Sequence, residues 1–589
     1  MYDLEISLKL MTTDIFLKII SSEDRRGIPD SCRDILSKVD RRQMVLGIVF
    51  FLDARSQEEY LKKEACIEGA CRDFFGDVLP MITCVAQKPV GASLTAEVLY
   101  LMSDGWIEYN ADYLVIHTDD GRELLTRGLH FPKAGDTGVQ ARKVFERLGE
   151  ILEAEGFKVN EIVRQWNYIE NITGISEGIQ NYQLFNDARS AFYGGSDWRN
   201  GYPAATGIGC SAGGVTVSVY AVKDAEKIGR PINNPIQVPA HKYSEKVLKE
   251  GRDIVKTTPK FERARLLGDT VFVSGTAAIK GEKSEISTDP RLQSEAAIDV
   301  VEHLVAPGNI FPGCPRFRFE AIRVYIKREE NIPAIVSTIS NHWKGIPMFF
   351  LMADICRPEL LLELEGIGTT RRFLECCCTD AGEAVEAQAG GAARIELCED
   401  LPCGGVTPSR KIIEEVLSNV VIPVNVLIRP RGGDFVYDDE ETEAMIRSIG
   451  MCKELGVNGV VIGALREDGS VDMHVMGRLM KAAEGLHVTF HRAFDECSDP
   501  LRALEDIISL GCERLLTAGH AASVNDGGET LRILNDKAAG RIVIMAGSGV
   551  RPANIAGLEK LAGIPEFHSS SHGPDGRTSR ETVSMMCKV

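Results

Sequence analysis

The chain has 589 residues, 44% of them hydrophobic and 26% charged, with sixteen cysteines and a formal net charge of −18. A length several times what one core serves calls for roughly two to four domains, and the composition is that of globular rather than disordered or fibrous protein. The acidic balance is spread along the chain with no basic block interleaved with aromatics, which excludes nucleic acid as the main partner.

Residues 1–42 combine amphipathic fragments with the charged stretch "SSEDRRGIPDSCRDILSKVDRRQ" and read as a helical extension or linker. The first residues are acidic, with neither a basic region nor a small-residue cleavage site, so no secretory signal is expected. Apolar runs such as "MVLGIVFFL" (44–52) and "MFFLMA" (348–353) fall short of the roughly 20 residues that a membrane-crossing helix needs. Cysteines diluted through so long a chain read as reduced thiols of a cytoplasmic protein.

Between 43 and 235 the strand-like segments "MVLGIVFF", "WIEYNADYLVIHT" and "GVTVSVYAV" surround a helical stretch at 138–155, the pattern of an α+β unit. After the proline-rich crossing "GRPINNPIQVPAHKY", residues 236–370 repeat a similar order of strands and helices, and a diverged duplication is expected. Its last strand, "LLLELEG", sets Glu363 and Glu365 on one face among leucines. At least one of these carboxyls, if buried, has a raised pKa and can protonate a substrate. A surface strand with two solvated glutamates has the same spacing.

From 371 to 589 eight short apolar strands alternate with helical segments, from "FLECCC" and "ARIELCE" to "IVIMAGSG" and "EFHSSS". This is the rhythm of a (β/α)8 barrel, and the first strand lacks the glycine-rich phosphate turn that would favour an open doubly wound sheet. Alternation puts Glu375 and Cys377 on one face of the first strand and Cys376 and Cys378 on the other, while Glu396 shares a face with Cys398. With those faces inward, Glu375, Cys377, Glu396, Cys398, Arg429, His491 and His568 form one polar ring, which is costly to bury unless paired or functional. Cys376 and Cys378 then fill space under helices, and Cys403 sits in the exposed "LPCGG" loop.

The segments "LECC", "RIELCEDLPCGGVTPS", "IPVNVLIRPRGGDFVY", "VTFHRAFDECSDP", "IVIMAGSGV" and "EFHSSS" resemble the CutC family, named for copper homeostasis, across 371–575. The resemblance implies a TIM barrel that handles copper, with Cys377 and Cys398 at the family's strand cysteines. Copper(I) prefers thiolates. Glu375, Glu396, Arg429 and the histidines suit an enzyme site for an anionic small molecule equally well, because a guanidinium repels cations and grips anions.

In the front half, "TVFVSGTAAI", "RVYIKREENIPAI" and "ADICRPELLLELEG" resemble the YjgF/RidA fold. Together with "QWNYIENI", "NYQLFNDARSAFYG", "YPAATGIG" and "NPIQVPAHKY", the likeness narrows to the chorismatase branch over 43–368. It implies two RidA-like halves that hydrolyse chorismate without a cofactor, releasing pyruvate. Glu363 matches the family's catalytic glutamate, and Cys356 matches a cysteine of the branch that makes 3-hydroxybenzoate. Chorismate is a dicarboxylate, for which Arg357, Arg323, Tyr325 and Lys327 are the expected clamps. Pro347 is followed by "MFF" where imine deaminases of the fold carry an arginine, so deamination is disfavoured. The expectation is thus a multidomain α/β chain: two RidA-like, chorismatase-type α+β units followed by a TIM barrel. Its partners would be a small dicarboxylate and copper, and assembly into a homo-oligomer is compatible with the RidA likeness. A copper protein with a silent RidA-like module is the alternative.

Overall fold

A computed structural model describes residues 4–9, 14–22, 27–41, 43–76, 78–101, 105–118, 121–176, 178–225, 229–244, 257–284, 287–344 and 346–588. The chain divides into two compact units, Met1–Thr370 and Arg371–Val589. No helix among the described residues is long and apolar enough to cross a membrane.

Among the described residues the first unit holds, besides two short two-stranded ribbons, three large sheets built to one plan. The first contains β1 (Leu4–Lys9), β2 (Asp14–Ser21), α1 (Ile28–Ser37), β3 (Met44–Leu52), α2 (Gln57–Phe75), β4 (Met81–Val85) and β5 (Leu94–Leu101), in strand order β1-β2-β5-β3-β4. The second contains β6 (Trp106–Tyr109), β7 (Tyr113–Thr118), β8 (Gly121–Thr126), β9 (Leu129–His130), α3 (Thr137–Ala154), β10 (Ile162–Glu170), α4 (Asn181–Tyr193), β11 (Ala204–Cys210) and β12 (Val215–Val222). Its order is β11-β10-β12-β8-β7-β6, with β9 also on β12. The third contains β13 (Arg230–Ile232), β14 (Ala264–Leu267), β15 (Thr270–Thr276), α5 (Pro290–Val305), β16 (Arg318–Ile326), α6 (Ile332–His342), β17 (Met348–Met352) and β18 (Leu362–Thr369), in order β13-β14-β15-β18-β16-β17.

In every sheet the last strand lies between a hairpin and a central strand, and a crossover helix carries the central strand to a parallel edge strand. Each central strand is bulged at the same place, between Val45 and Gly47, Ile162 and Arg164, and Phe319 and Ala321. Beyond the bulge the registers correspond: Val49 faces Glu97, Trp166 faces Ser218 and Arg323 faces Glu365. Two residues on, Phe51 faces Thr95, Tyr168 faces Thr216 and Tyr325 faces Glu363. The repeat is therefore threefold, where the sequence pattern suggested a duplication.

Within residues 1–42 the charged stretch does hold a helix, α1, but the segment before it is not helical: β1 and β2 supply two strands of the first sheet. Leu4, Ile6 and Leu8, and Ile15, Leu17 and Ile19, recur every second residue, and such short runs also match a helical i, i+4 spacing. The region 43–235 is correspondingly shared between two sheets.

Each sheet touches the other two. Gly128 N donates to Thr83 Oγ1 at 2.8 Å, Ala205 N to Ser274 Oγ at 2.9 Å, and Val90 N to Phe350 O at 2.9 Å.

The second unit is a closed parallel barrel of β19 (Phe373–Cys378), β20 (Arg394–Leu397), β21 (Val424–Leu427), β22 (Gly459–Ile462), β23 (His487–Phe490), β24 (Arg514–Thr517), β25 (Val543–Ala546) and β26 (Glu566–Ser569). The helices between them start and stop on local signals. Asp438 and Glu441 form a capping box before the helix Asp439–Leu455, left-handed Gly456 ends that helix, and left-handed Gly391, Gly511 and Gly563 end three others. Strand faces turned toward the helices, including Cys376 and Cys378, join one large apolar core.

If β1 and β2 are integral, deleting residues 1–26 exposes the edge of β5, and the truncated chain should melt several degrees lower or aggregate. An unchanged melting temperature would show that these strands are dispensable.

Candidate active site and candidate metal centre

Strand β18 sends Leu362 and Leu364 into the core beneath α5 and α6, so Glu363 and Glu365 face the other way, toward the convergence of the three sheets. Both are 5% exposed. Glu365 is saturated with donors: Trp166 Nε1 at 2.8 Å, Arg323 Nη1 at 2.9 Å, Arg164 Nη2 at 3.0 Å and Tyr325 Oη at 3.0 Å. Burial alone would raise its pKa, but Arg323 and Arg164 with the hydrogen bonds of Thr206 and Trp166 hold it at about 2. Arg323 is in turn gripped by both oxygens of Glu97, with Nε to Oε1 at 2.7 Å.

Glu363 has the opposite surroundings. Burial and the charge of Glu365 push its carboxyl up to about 8, against a partial opposing pull from Arg263. A Cβ on Gly275 would run into Glu363 Oε1, so only glycine leaves room for this carboxyl. Gly275 N donates to Thr206 Oγ1 at 3.0 Å, tying β15 to β11 beside it. The acid thus stands at the seam between the second and third sheets. At the corresponding register positions of the other sheets stand Thr95 and Thr216, neither of which can supply an acidic proton at neutral pH.

Cys356 is half-buried near Glu363, and burial with that neighbouring carboxyl raises its thiol to about 12. Burial likewise raises the Tyr182 phenol, which feels Cys356, Glu363 and Tyr243. Of the clamps expected from the sequence, Arg323 and Tyr325 are instead spent on Glu365, because strand pairing sets them directly across from the two glutamates. Lys327 Nζ pairs with Asp354 Oδ1 at 2.8 Å. Arg357 Nη1 donates to Glu282 O and Ser284 Oγ, both at 3.1 Å, and the guanidinium lies over the Tyr243 ring.

The cation that acts on Glu363 is Arg263, and Arg189 lies beside Tyr182, which also feels Glu363. Arg263 bonds Tyr243 Oη at 2.6 Å and Val238 O at 3.1 Å, and its buried Nε has no hydrogen-bond partner. Arg189, 1% exposed, bonds Asn186 Oδ1 at 2.6 Å and also has an unpartnered Nε. Burial and the nearby Arg189 charge hold the Lys260 ammonium below its usual range. Sequence reasoning missed all three, since α4 and the chain leading into β14 meet Glu363 only through the seam.

Inside the barrel, Glu375 pairs with Arg394, whose Nη2 reaches Glu566 Oε2 at 2.8 Å, and Arg514 Nε reaches the same oxygen at 3.0 Å. Further along the strands Cys377 Sγ lies 3.5 Å from Cys398 Sγ and 4.0 Å from Glu396 Oε1. His568 Nδ1 is 3.0 Å from Glu375 Oε1 and 3.8 Å from Glu396 Oε2, and that Glu396 oxygen has no hydrogen-bond partner. Ligand atoms of Cys377, Glu396 and His568 all lie within 4.8 Å of one another.

Burial opposes ionisation of Glu375, but Arg394 and His568 prevail and hold it at about 2. Burial and the Glu375 charge lift Glu396 to about 7. Burial works against the His568 cation, yet Glu396 and Glu375 raise its pKa. The hydrogen bond to Cys398 and burial raise the Cys377 thiol.

Arg429 and His491 make no hydrogen bond or ion pair with this cluster and both lie against Phe435, 4.7 Å from the guanidinium and 5.0 Å from the imidazole to the ring. The single polar ring expected from the sequence is therefore two groups. Arg429 donates to Cys403 O, Gly405 O and Gly433 O at 2.6–3.2 Å, which accounts for most of its donors. His491 Nδ1 accepts from Ala493 N at 3.2 Å, and burial with Arg429 lowers its pKa to about 3. Arg394 and Glu566 went unread although they share strand faces with Glu396 and His568.

Residues 372–573 match the model of the CutC family, and residues 103–221 match the model described as chorismatase FkbO/Hyg5-like, N-terminal. A family protein CutC of Parabacteroides distasonis is 48% identical over 202 residues, covering 34% of this chain and 83% of that protein. One of Xanthomonas campestris pv. campestris is 50% identical over 201 residues, covering 34% and 84%. Through its barrel the chain belongs to the CutC family. Among solved structures, CutC of Streptococcus agalactiae is 31% identical, covering 34% of this chain and 98% of its own, with a TM-score of 0.33. A chorismatase is 19% identical, covering 61% and 99%, with a TM-score of 0.47.

Glu363 keeps its proton to about pH 8 when folded and ionises near 4.5 when unfolded. Between these values the folded chain binds more protons, so stability falls as pH rises, by at most about 1.4 kcal/mol per pH unit. Glu363→Gln should lack this loss, and its melting temperature should gain on that of the parent from pH 5 to 8. Parallel profiles would contradict a raised pKa.

Proposed function

We propose that the first unit cleaves an enol ether of the chorismate type, releasing pyruvate, with Glu363 as the general acid. What carries the reading is a buried carboxyl that stays protonated at neutral pH beside one that stays ionised. The reaction needs a proton on the terminal carbon of the enolpyruvyl group. That gives an oxocarbenium ion, which water captures as a hemiketal. The hemiketal collapses to pyruvate and the ring alcohol. Glu363 gives the first proton, and the fixed charge of Glu365 then favours its return to the Glu363 carboxylate.

Arg263, which acts on Glu363, and Arg189, with Lys260 next to it, suit the two substrate carboxylates, because both guanidiniums keep an unpartnered buried Nε. Arg357 remains a further contact at the edge of this group. The ring alcohol is a dihydroxylated cyclohexadiene acid, and loss of one water from it, a ring hydroxyl leaving with the hydrogen of the neighbouring carbon, gives the hydroxybenzoate that we assign on the strength of Cys356, a thiol neutral at physiological pH, beside Glu363. The three repeated sheets read as RidA-like units, and the unpaired state of all sixteen cysteines supports a reducing, cytoplasmic setting. The full chain should release pyruvate from chorismate, and Glu363→Gln should lose at least about 100-fold in rate, the lower range for a general acid. Release unaffected by that substitution would refute the assignment.

For the barrel, the convergence of Cys377, Cys398, Glu396 and His568 supports a second function, binding of copper(I). The sulfur pair with an imidazole makes a donor set that suits copper(I), and the neutralisable carboxyl of Glu396 stands beside it. Both thiols must lose protons on binding, so affinity should rise with pH. In competition with a cuprous chelator, the double variant Cys377→Ser, Cys398→Ser should retain at most a tenth of the parent's affinity. Equal affinity would rule the sulfurs out.

A further inference from the structure

The facing thiols of the barrel, Cys377 at 6% and Cys398 at 1% exposure, are nearly closed off from solvent. They share a small apolar cluster with Leu427 and Val461, and Leu401 packs against it. Leu401 opens a short helical turn, Leu401–Cys403, in the loop that follows β20. Further along this loop, a Cβ on Gly405 would lie 3.6 Å from Cys398 Sγ and 2.9 Å from Leu427 Cδ2. The loop therefore covers the sulfur pair. A metal ion that arrives on a donor ligand needs that ligand to reach the sulfurs, which a thiol so little exposed does not permit.

The loop is a compact piece on a narrow base. Glu399 and Val406 exchange both backbone hydrogen bonds, at 3.0 and 2.8 Å, and so close it. Within it, Cys403 N and Gly405 N donate to Asp400 O at 3.1 and 3.2 Å, and Gly404 N donates to Leu401 O at 2.9 Å. These internal bonds persist whether or not the loop stays seated on the barrel. Its tip is seated by Arg429, which donates to Cys403 O and Gly405 O, both at 3.2 Å. The same guanidinium is anchored on Gly433 O at 2.6 Å and lies over the Phe435 ring. A planar guanidinium presents enough donors in a fixed fork to hold all these carbonyls at once, which a lysine does not.

We propose that the loop 400–405 is a gate over Cys377 and Cys398, latched shut by Arg429, and that a metal carried on a donor ligand exchanges with these thiols only when the gate swings out. Arg429 is then a positioning residue, which holds the loop and does not touch the metal. The part that concerns copper(I) rests on the function proposed for the barrel, whereas the gate itself rests on the packing of the loop.

The test is made on the full chain, with Arg429→Met to release the latch and Leu401→Ala to thin the cover. Arg429→Lys, which keeps the charge but not the fork, serves if Arg429→Met fails to fold. Alkylation by N-ethylmaleimide, mapped by mass spectrometry, reads the gate without metal: Cys398 should react at least about tenfold faster in each folded variant than in the parent. Cys452, buried under the helix Asp439–Leu455, should keep the parent's rate, which separates a freed loop from a loosened barrel. Copper(I) withdrawn by bicinchoninate should leave at least about tenfold faster, with Kd within about threefold of the parent's, because opening speeds loading and release alike. Unchanged Cys398 alkylation in the folded variants would overturn the gate whether or not copper(I) binds. A gain in Leu401→Ala alone would overturn the latch. Faster alkylation with copper(I) release unchanged would overturn the gate's hold on the metal, and faster alkylation of a parent that binds no copper(I) would uphold the gate and fault the copper reading.

Discussion

The first unit depends on how one carboxylate, Glu365, is neutralised. Two arginines from the second and third sheets, an indole and a phenol converge on it, and Arg323 carries the network on to Glu97 of the first sheet. The side chains that join the three sheets therefore also set the charge next to Glu363. A buried carboxylate with fewer donors would itself take up a proton, and Glu363 would lose the neighbour that helps keep it neutral. Structural cohesion and the proposed chemistry rest on the same ionic contacts. In such a network, removing one partner costs more than the pair contributes, because it strands a buried charge.

A threefold plan with three seams does not produce three equal sites. The glycine and threonine that frame Glu363, Gly275 and Thr206, have counterparts in Gly128 and Thr83, where Gly128 N again donates to a threonine hydroxyl. What differs is the residue between them: Thr216 at that seam and Thr95 in the first sheet. The scaffold is repeated, and the acidic proton is supplied once. The barrel follows a comparable economy of charge, with Arg394 and Arg514 neutralising Glu375 and Glu566. Glu396, less well served, is left near neutrality beside two thiols and an imidazole.

Much of the barrel was legible because its signals are local. Eight apolar strands announce it, and alternation alone separates Cys377 from Cys376 and Cys378, which the structure buries on the helix side. The front half was harder. Strands β1 and β2 look helical over so few residues, and the three bulges that align the repeats leave no trace in composition. The pairing of Glu363 and Glu365 on one face was readable from spacing. Which of them keeps its proton was not, since Arg164 and Trp166 reach Glu365 from another sheet nearly 200 residues away in sequence. For the same reason Arg323 and Tyr325, plausible clamps by proximity along the chain, turned out to be occupied.

The central claim is the asymmetry between these two carboxyls, and difference infrared spectroscopy measures it directly. Subtracting the spectrum of Glu363→Gln from that of the parent at pH 7 should reveal the carbonyl stretch of one protonated carboxyl, fading as the pH passes about 8. A difference spectrum showing only an ionised carboxylate at pH 7 would contradict the account.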